Sequence, residues 1–228
     1  SHTVLPSMHK KLPYDIVKDF APVSLLVTFP FLLLVHPSLP AKSVKELIAL
    51  AKAKPGQINY ASGGNGSTAH LSAELFKSMT GINVVHVPYK GTAPALIALL
   101  AGEASLAFYS VSATLSHVKA ERLRALATTG ERRSPSLPDL LTVVEAGVPG
   151  FETGSWAGVL APAGTPKSII AKLHGEFTRI LRLTEAKERL AAIDFEPVGN
   201  TPDAFGTIIR KEVVRWAKVV KESGAKLD

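Results

Sequence analysis

The sequence predicts an α/β fold built on parallel strands, and three observations carry that prediction. Twice within residues 58–102 a short apolar strand ends in a small glycine-containing turn that leads directly into an amphipathic helix. Two such units in succession imply neighbouring parallel strands joined by right-handed crossovers. Both turns then fall at the carboxyl ends of adjacent strands, where open α/β sheets bind their ligands.

Taken in order, residues 1–19 are turn-rich, with Pro6, Pro13 and paired Lys10-Lys11, and contain no strand that opens a sheet. Phe20–Val27 and Phe31–Val35 are expected as two core strands separated at Pro30. The apolar stretch Val23–Val35 is interrupted by Ser24, Thr28 and Pro30 and falls well short of the ~20 residues of a membrane helix. His36-Pro37-Ser38-Leu39-Pro40 is a prolyl connector suited to passing between lobes. Ser43 and Glu46 form a capping box, and Val44, Leu47, Ile48 and Ala51 give the helix that follows one apolar stripe as far as Pro55-Gly56.

The first central unit has a strand over Ile58–Ser62, a turn carrying Gly63, Gly64 and Gly66, and hydroxyls at Ser67 and Thr68 where a helix should begin. Leu71, Leu75, Phe76 and Met79 recur at helical spacing, and Gly81 is a suitable stop. The second unit has a strand over Asn83–Val87, a turn over Pro88–Gly91, Thr92 as N-cap, and Leu96, Leu99 and Leu100 as the buried face up to Gly102. Helix starts leave backbone N–H groups unpaired and carry the positive end of the macrodipole, so two of them side by side favour an anion. The reading at this point is a carboxylate.

Beyond it, Ala104–Tyr109 reads as a strand, Val111–Ala120 as a helix and Leu123–Thr128 as a strand. Residues 134–150 are a Pro- and Gly-rich connector, and Ser155–Ala161 is a strand leading to Pro162-Ala163-Gly164. Thr165-Pro166 predicts a cap with proline at the first helical position, and Ile169, Ile170, Leu173, Phe177 and Ile180 form the apolar face of a long helix. Thr184 is expected to cap another helix, Phe195–Val198 to form a short strand, and Thr201-Pro202 to start a last helix reaching Gly224.

At 228 residues with 46% hydrophobic side chains, the chain can bury the core of one large domain or of two lobes. Zero cysteines exclude disulfides, thiolate metal sites and cysteine nucleophiles. A formal charge of +7 raises the question of nucleic acid, but the basic residues are scattered among acids and only 7% of residues are aromatic, so the clustered footprint is missing. A soluble protein with a basic surface fits better. With no signal peptide before Ser1, the expectation is a removed leader or numbering that begins inside a longer protein.

The same residues fit other chemistries less well. Gly64-Asn65-Gly66-Ser67-Thr68-Ala69 fits the dinucleotide pattern G-x-G-x-x-A, yet the next strand, Val84-Val85-His86-Val87, lacks the acid that would hold a ribose. His70 and Glu74 stand four apart on a helix without an evident third metal ligand. Ser67 lacks the nucleophile elbow and an obvious base. His86, inside an apolar strand, reads as a satisfied core residue.

With these turns in place, the sequence resembles the tripartite tricarboxylate transporter substrate-binding proteins, the Bug family of extracytoplasmic solute receptors. The residues that carry the likeness run in order along the chain: Ser1-His2 with Lys11-Leu12-Pro13-Tyr14-Asp15, Asp19-Phe20-Ala21-Pro22-Val23, Tyr60-Ala61-Ser62 with Gly64-Asn65-Gly66-Ser67 and His70-Leu71. They continue with Val87-Pro88-Tyr89-Lys90-Gly91, Leu137-Pro138-Asp139, Glu145-Ala146-Gly147, Ala161-Pro162-Ala163-Gly164-Thr165-Pro166 and the stretch from Trp216 to Gly224.

The resemblance implies a two-lobed periplasmic-binding-protein fold of the type II, Venus-flytrap kind. Residues 1–35 and 160–228 would form a first lobe, incomplete at its N-terminus, and residues 36–159 an inserted second lobe, with hinge closure on the ligand. It implies a non-enzymatic periplasmic receptor that delivers a small carboxylate to membrane transporter subunits, monomeric, with no cofactor, metal or nucleic acid. The family's loops map onto Ser62, Gly64, Asn65, Gly66, Ser67 and Thr68, onto Lys90, Gly91 and Thr92, and onto Ser1 and His2 of the facing lobe; Tyr109 and Trp156 complete the expected binding set.

Family members also carry an N-terminal segment with a glycine-rich loop ending in an acid, which these residues do not include. Ser105 and Tyr109 stand where the family usually has aspartates, so the resemblance implies a non-amino carboxylate. A sensor for a signalling partner on the same fold, or a dinucleotide-dependent enzyme using the same loops, are the alternatives.

Overall fold

In the computed structural model, which describes residues 2–8 and 12–223, the apolar stretch at its start forms one continuous strand, β1 (Phe20–Val35), where the sequence predicts two. Proline is excluded from a sheet only where its missing N–H is wanted by a neighbour. Pro30 sits where β1 changes partners. Before it, Val27 and Thr28 pair with Pro197 and Glu196; after it, the ladder begins at Phe31 opposite Ser110. At the junction the Phe31 N–H donates to Thr129 Oγ1 at 2.8 Å, so the strand continues without a ladder bond from Pro30.

The chain divides into two compact units: residues up to Phe29 with those from Ser155 onward, and Pro30–Gly154. In the second, strands β2 (Asn59–Ser62), β3 (Val85–Pro88), β4 (Leu106–Ser110) and β5 (Arg124–Thr128) join the later half of β1 in the order β3-β2-β4-β1-β5. The pairs β2–β3 and β2–β4 are parallel, as the two strand-turn-helix units require, while β1 runs antiparallel to β4 and β5.

Helices α2 (Val44–Ala53), α3 (Thr68–Thr80), α4 (Thr92–Leu100) and α5 (Val111–Lys119) belong to this unit. Ser43 caps α2 by accepting from the Glu46 N–H at 3.2 Å, and Glu46 Oε2 returns to the Lys42 N–H at 2.7 Å. Helix α3 ends at Gly81 in the left-handed conformation, with φ 68°. One core cluster joins Leu32, Leu34, Ala61, Ala95, Leu99, Ala107 and Tyr109. Phe76, Phe108 and Phe151 pack together at centroid distances of 5.6 to 6.1 Å.

The other unit contains β6 (Gly154–Pro162), β7 (Glu196–Pro197), α6 (Lys167–Arg182), α7 (Thr184–Ala191) and α8 (Pro202–Ser223), with the short α1 (Leu5–Met8). Ile16, Leu25, Phe205 and Ile209 form its core. Gly158 on β6 leaves room for the Phe205 ring; a Cβ there would overlap that ring and stand 2.9 Å from Ser24 O. Asn200 fixes β1 by accepting Ser24 Oγ–H at 2.9 Å and the Leu25 N–H at 3.0 Å.

Helix ends depart from expectation in three places. Thr165 closes a turn by donating to Pro162 O at 2.8 Å, which leaves Pro166 at the N-cap of α6 with no side-chain cap bond. Leu183 rather than Thr184 holds the N-cap of α7, and Gly91 rather than Thr92 that of α4. Thr201 does cap α8, accepting from the Ala204 N–H at 3.3 Å.

The apolar face expected on α6 exists as a pattern, but no residue of that helix is buried, and Ile169, Leu173 and Ile180 are 47%, 36% and 43% exposed. Periodicity marks a face suited to being covered and does not say what covers it.

Candidate functional site

Ser62 at the end of β2 and Pro88 at the end of β3 are partners across the parallel ladder, so both turns leave the sheet side by side. The turns touch. The Gly91 N–H donates to Gly63 O at 3.2 Å, and the Tyr89 N–H to Ser62 O at 3.0 Å. A Cβ at Gly63 would stand 3.1 Å from Thr92 N and 3.2 Å from Gly91 C, so only glycine permits this approach without displacement. Gly64, with φ 117°, adopts a conformation that side chains rarely take.

Each turn feeds a helix start. At α3, Ser67 Oγ accepts from the His70 N–H at 3.3 Å, and helix geometry leaves the Thr68 and Ala69 N–H groups without an intrahelical acceptor. At α4, Gly91 supplies no side-chain cap and Pro94 has no N–H, so Thr92 and Ala93 hold the corresponding donors. Two helix starts, each with two donors that lack an intrahelical acceptor, come together beside Gly63. This arrangement stabilises a negative charge through short N–H contacts and aligned macrodipoles.

The expected site residues divide by what they touch. Asn65, Ser67, Thr68 and Gly91 are half-buried, and Lys90 and Thr92 are exposed, all on the two rims. Ser62, Gly64 and Gly66 face inward. The Ser62 hydroxyl accepts the Gly64 N–H at 3.1 Å and lies 2.6 Å from His86 Nε2, and the Gly66 N–H donates to His70 Nδ1 at 3.0 Å. The inward use of the Gly64 and Gly66 amides makes them the frame of the rim, while Ala69 and Ala93, which sequence reasoning passed over, supply outward donors. Their signal was available: they are the second residues of the two helices.

Tyr109, at the end of β4, is 3% exposed, and its hydroxyl is buried without a hydrogen-bond partner. Burial, and to a lesser extent Tyr89, raises its pKa, so it is a protonated donor. It packs in the cluster that contains Ala69 of α3 and Ala95 of α4, with Tyr89 against it. Ser105 is committed elsewhere: its N–H and Oγ both meet Asn59 Oδ1, at 2.8 and 2.9 Å.

In the other unit, Trp156 stands edge-on to Phe205 at 5.4 Å, and His2 Nδ1 lies 2.9 Å from the Tyr14 hydroxyl. Ser1 lies outside the described residues.

The His70–Glu74 pair has a structural use. Glu74 Oε1 accepts from the Tyr60 hydroxyl at 2.5 Å and from Lys77 Nζ at 2.8 Å. Among the described residues no group of three or more His, Cys, Asp or Glu is placed to hold a metal, and no helix is long and apolar enough to cross a membrane.

Residues 1–225 match the family model described as the tripartite tricarboxylate transporter family receptor. Protein BugT of Bordetella pertussis is 38% identical over 221 residues, which cover 97% of this chain and 68% of BugT. Against a Pseudomonas relative encoded in a tcbD-tcbE intergenic region, at 34% identity, the chain spans 64% of that protein's length. Among solved structures, the R. palustris protein Rpa4515 with adipate superposes with a TM-score of 0.93 at 39% identity, covering 100% of this chain and 76% of that one. MatC of Rhodopseudomonas palustris with bound malate gives 0.85 at 32% identity, covering 96% of this chain and 76% of its own.

Proposed function

The chain belongs to the tripartite tricarboxylate transporter receptor family, and on that premise we propose that its second unit grips one carboxylate of a small non-amino organic acid at the joined starts of α3 and α4. The observation that supports this reading is the contact of the two rims, Gly91 N–H on Gly63 O at 3.2 Å, which brings the two helix starts side by side. The Thr68 and Ala69 amides serve one carboxylate oxygen and those of Thr92 and Ala93 the other, with the Ser67 and Thr92 hydroxyls and Lys90 at the rim and the Tyr109 phenol beneath. The ligand leaves unchanged, to be passed to membrane transporter subunits, and the protein works in the periplasm.

A hydrogen bond to a charged group contributes about 1.5 to 3 kcal/mol. Three or four of them, less the costs of association, support roughly micromolar binding. The relatives named above that were solved with adipate and with malate held carboxylic acids without an amine. Neither Ser105, occupied by Asn59, nor the neutral Tyr109 phenol offers a counter-charge to an ammonium group.

Titration calorimetry with mono-, di- and tricarboxylates, adipate and malate among them, tests the proposal. The expected result is micromolar binding of at least one, no chemical change in the recovered ligand, and no response to NAD. An amino acid bound more tightly than its deaminated analogue would overturn the non-amino assignment.

A further inference from the structure

Next to the 62–68 turn lies a cluster of aromatic and charged groups that carboxylate capture does not by itself require. The His70 and His86 rings stack with centroids 4.1 Å apart and planes 6° from parallel, and the Tyr60 ring lies near-parallel to both, 4.7 Å from His86 and 6.3 Å from His70. Neither histidine points to the rim surface. Each instead bonds to the backbone or hydroxyl that shapes the turn: His70 Nδ1 accepts the Gly66 N–H at 3.0 Å, and His86 Nε2 meets Ser62 Oγ at 2.6 Å.

The donor at Gly66 fixes the chemistry of His70. An imidazole nitrogen that accepts a backbone N–H carries no proton, so His70 is held as the neutral tautomer protonated at Nε2. Protonation at Nδ1 would set two N–H groups against each other and release the Gly66 peptide. That peptide lies directly before Ser67, the N-cap from which the outward amides of Thr68 and Ala69 are aimed.

We propose that His70 is a positioning residue for the binding rim, acting through Gly66, and that acid, by protonating it, loosens the rim. The proposal rests on the reading of the 62–68 turn as half of the carboxylate site. The groups facing the pair are Tyr60 from β2, and Glu74 and Lys77 from α3. The negative charge of Glu74 favours protonation of His70, but Glu74 is engaged by the Tyr60 hydroxyl and by Lys77 Nζ. Burial and Lys77 oppose it, and the pKa of His70 is lowered, with burial the largest cause. For His86, burial, then His70 and Lys77, bring the value down to about 4.

The test is NMR of the unliganded protein across pH 7.5 to 4.5, with His70→Asn and His70→Leu. An Asn oxygen stands near the place of Nδ1 and accepts the Gly66 N–H without titrating, whereas Leu offers no acceptor. In the parent protein the Gly66 amide should titrate in step with the His70 ring and lose exchange protection in acid. His70→Asn should keep the protection and abolish the titration. His70→Leu should lose the protection at every pH and bind adipate about tenfold or more weakly at pH 7.5.

A Gly66 amide insensitive to pH in the parent, or identical in all three proteins, overturns the proposal. Should His70→Leu not fold, the contrast between the parent and His70→Asn decides alone. Adipate and the other carboxylates failing to bind any form, with the amide results as expected, would contradict the carboxylate reading and leave the positioning role of His70 supported.

Discussion

Gly63→Ala isolates the contact on which the site depends. The added Cβ would meet Thr92 N at 3.1 Å and Gly91 C at 3.2 Å, both backbone atoms of the opposite rim, so relief requires one rim to retreat by a few tenths of an ångström. Overpacking of this kind typically costs about 1 to 3 kcal/mol. Because amide contacts to an anion weaken steeply with length, the same displacement should reduce carboxylate affinity about tenfold or more. Gly91→Ala is the matched control: at φ 111° an alanine is strained, yet nothing lies within 4 Å of its Cβ. It should lower stability by about 1 kcal/mol or more while leaving the rims in contact. Urea denaturation and calorimetry on both variants give the two numbers. Gly63→Ala with parental affinity, or a larger affinity loss in Gly91→Ala than in Gly63→Ala, would refute the reasoning.

Three further outcomes follow from the same geometry. Ser67→Ala removes the cap that accepts the His70 N–H and should cost about 1 kcal/mol in urea unfolding; an affinity loss of about tenfold beyond that would place the hydroxyl on the ligand, and unchanged affinity would leave it a cap only. Tyr109→Phe removes a buried hydroxyl that has no partner in the unliganded protein, so it should leave stability unchanged or raise it by about 1 kcal/mol while weakening carboxylate binding; a loss of stability with parental affinity would contradict the assignment. The buried His70 and the half-buried His86 are both held below the ordinary value of about 6.5, so the stability tied to their neutral state is complete above that pH and is lost as pH falls toward 4, where the unfolded chain binds protons that the folded one does not. For His86, whose value comes down to about 4, that loss, discounted for its partial exposure, is roughly 2 kcal/mol, and His86→Gln should flatten the urea midpoint between pH 6.5 and 4.5. A variant profile as steep as the parent's would assign the effect to carboxylates such as Glu145, which Arg133 holds below the usual range.

Much of the second unit is legible in the sequence because its signals are local. Ser67 and Gly81 bracket α3 through a cap and a left-handed stop, each set by a few neighbouring residues. The parallel pairing of β2 with β3 follows from the length of the crossover between them. Long-range facts are not legible in this way. That Pro30 does not break β1 depends on where two ladders end, and the exposure of Ile169 and Leu173 depends on what stands opposite α6.

The candidate site shows the same limit at finer scale. Glycines at 63, 64 and 66 read alike in sequence, as permissive turn residues. Their roles separate only in three dimensions: close approach at Gly63, a donor to Ser62 at Gly64 and a donor to His70 at Gly66. Helix phase matters as much. Moving the N-cap of α4 from Thr92 to Gly91 turns Thr92 from a capping side chain into a backbone donor.

Amide NMR on titration with the best-binding carboxylate tests the paired-rim claim most directly. The account predicts that the N–H signals of Thr68 and Ala69 and those of Thr92 and Ala93 move together, with one affinity and in the direction of stronger hydrogen bonding. Movement of one rim alone, or binding that leaves all four unmoved, would contradict it.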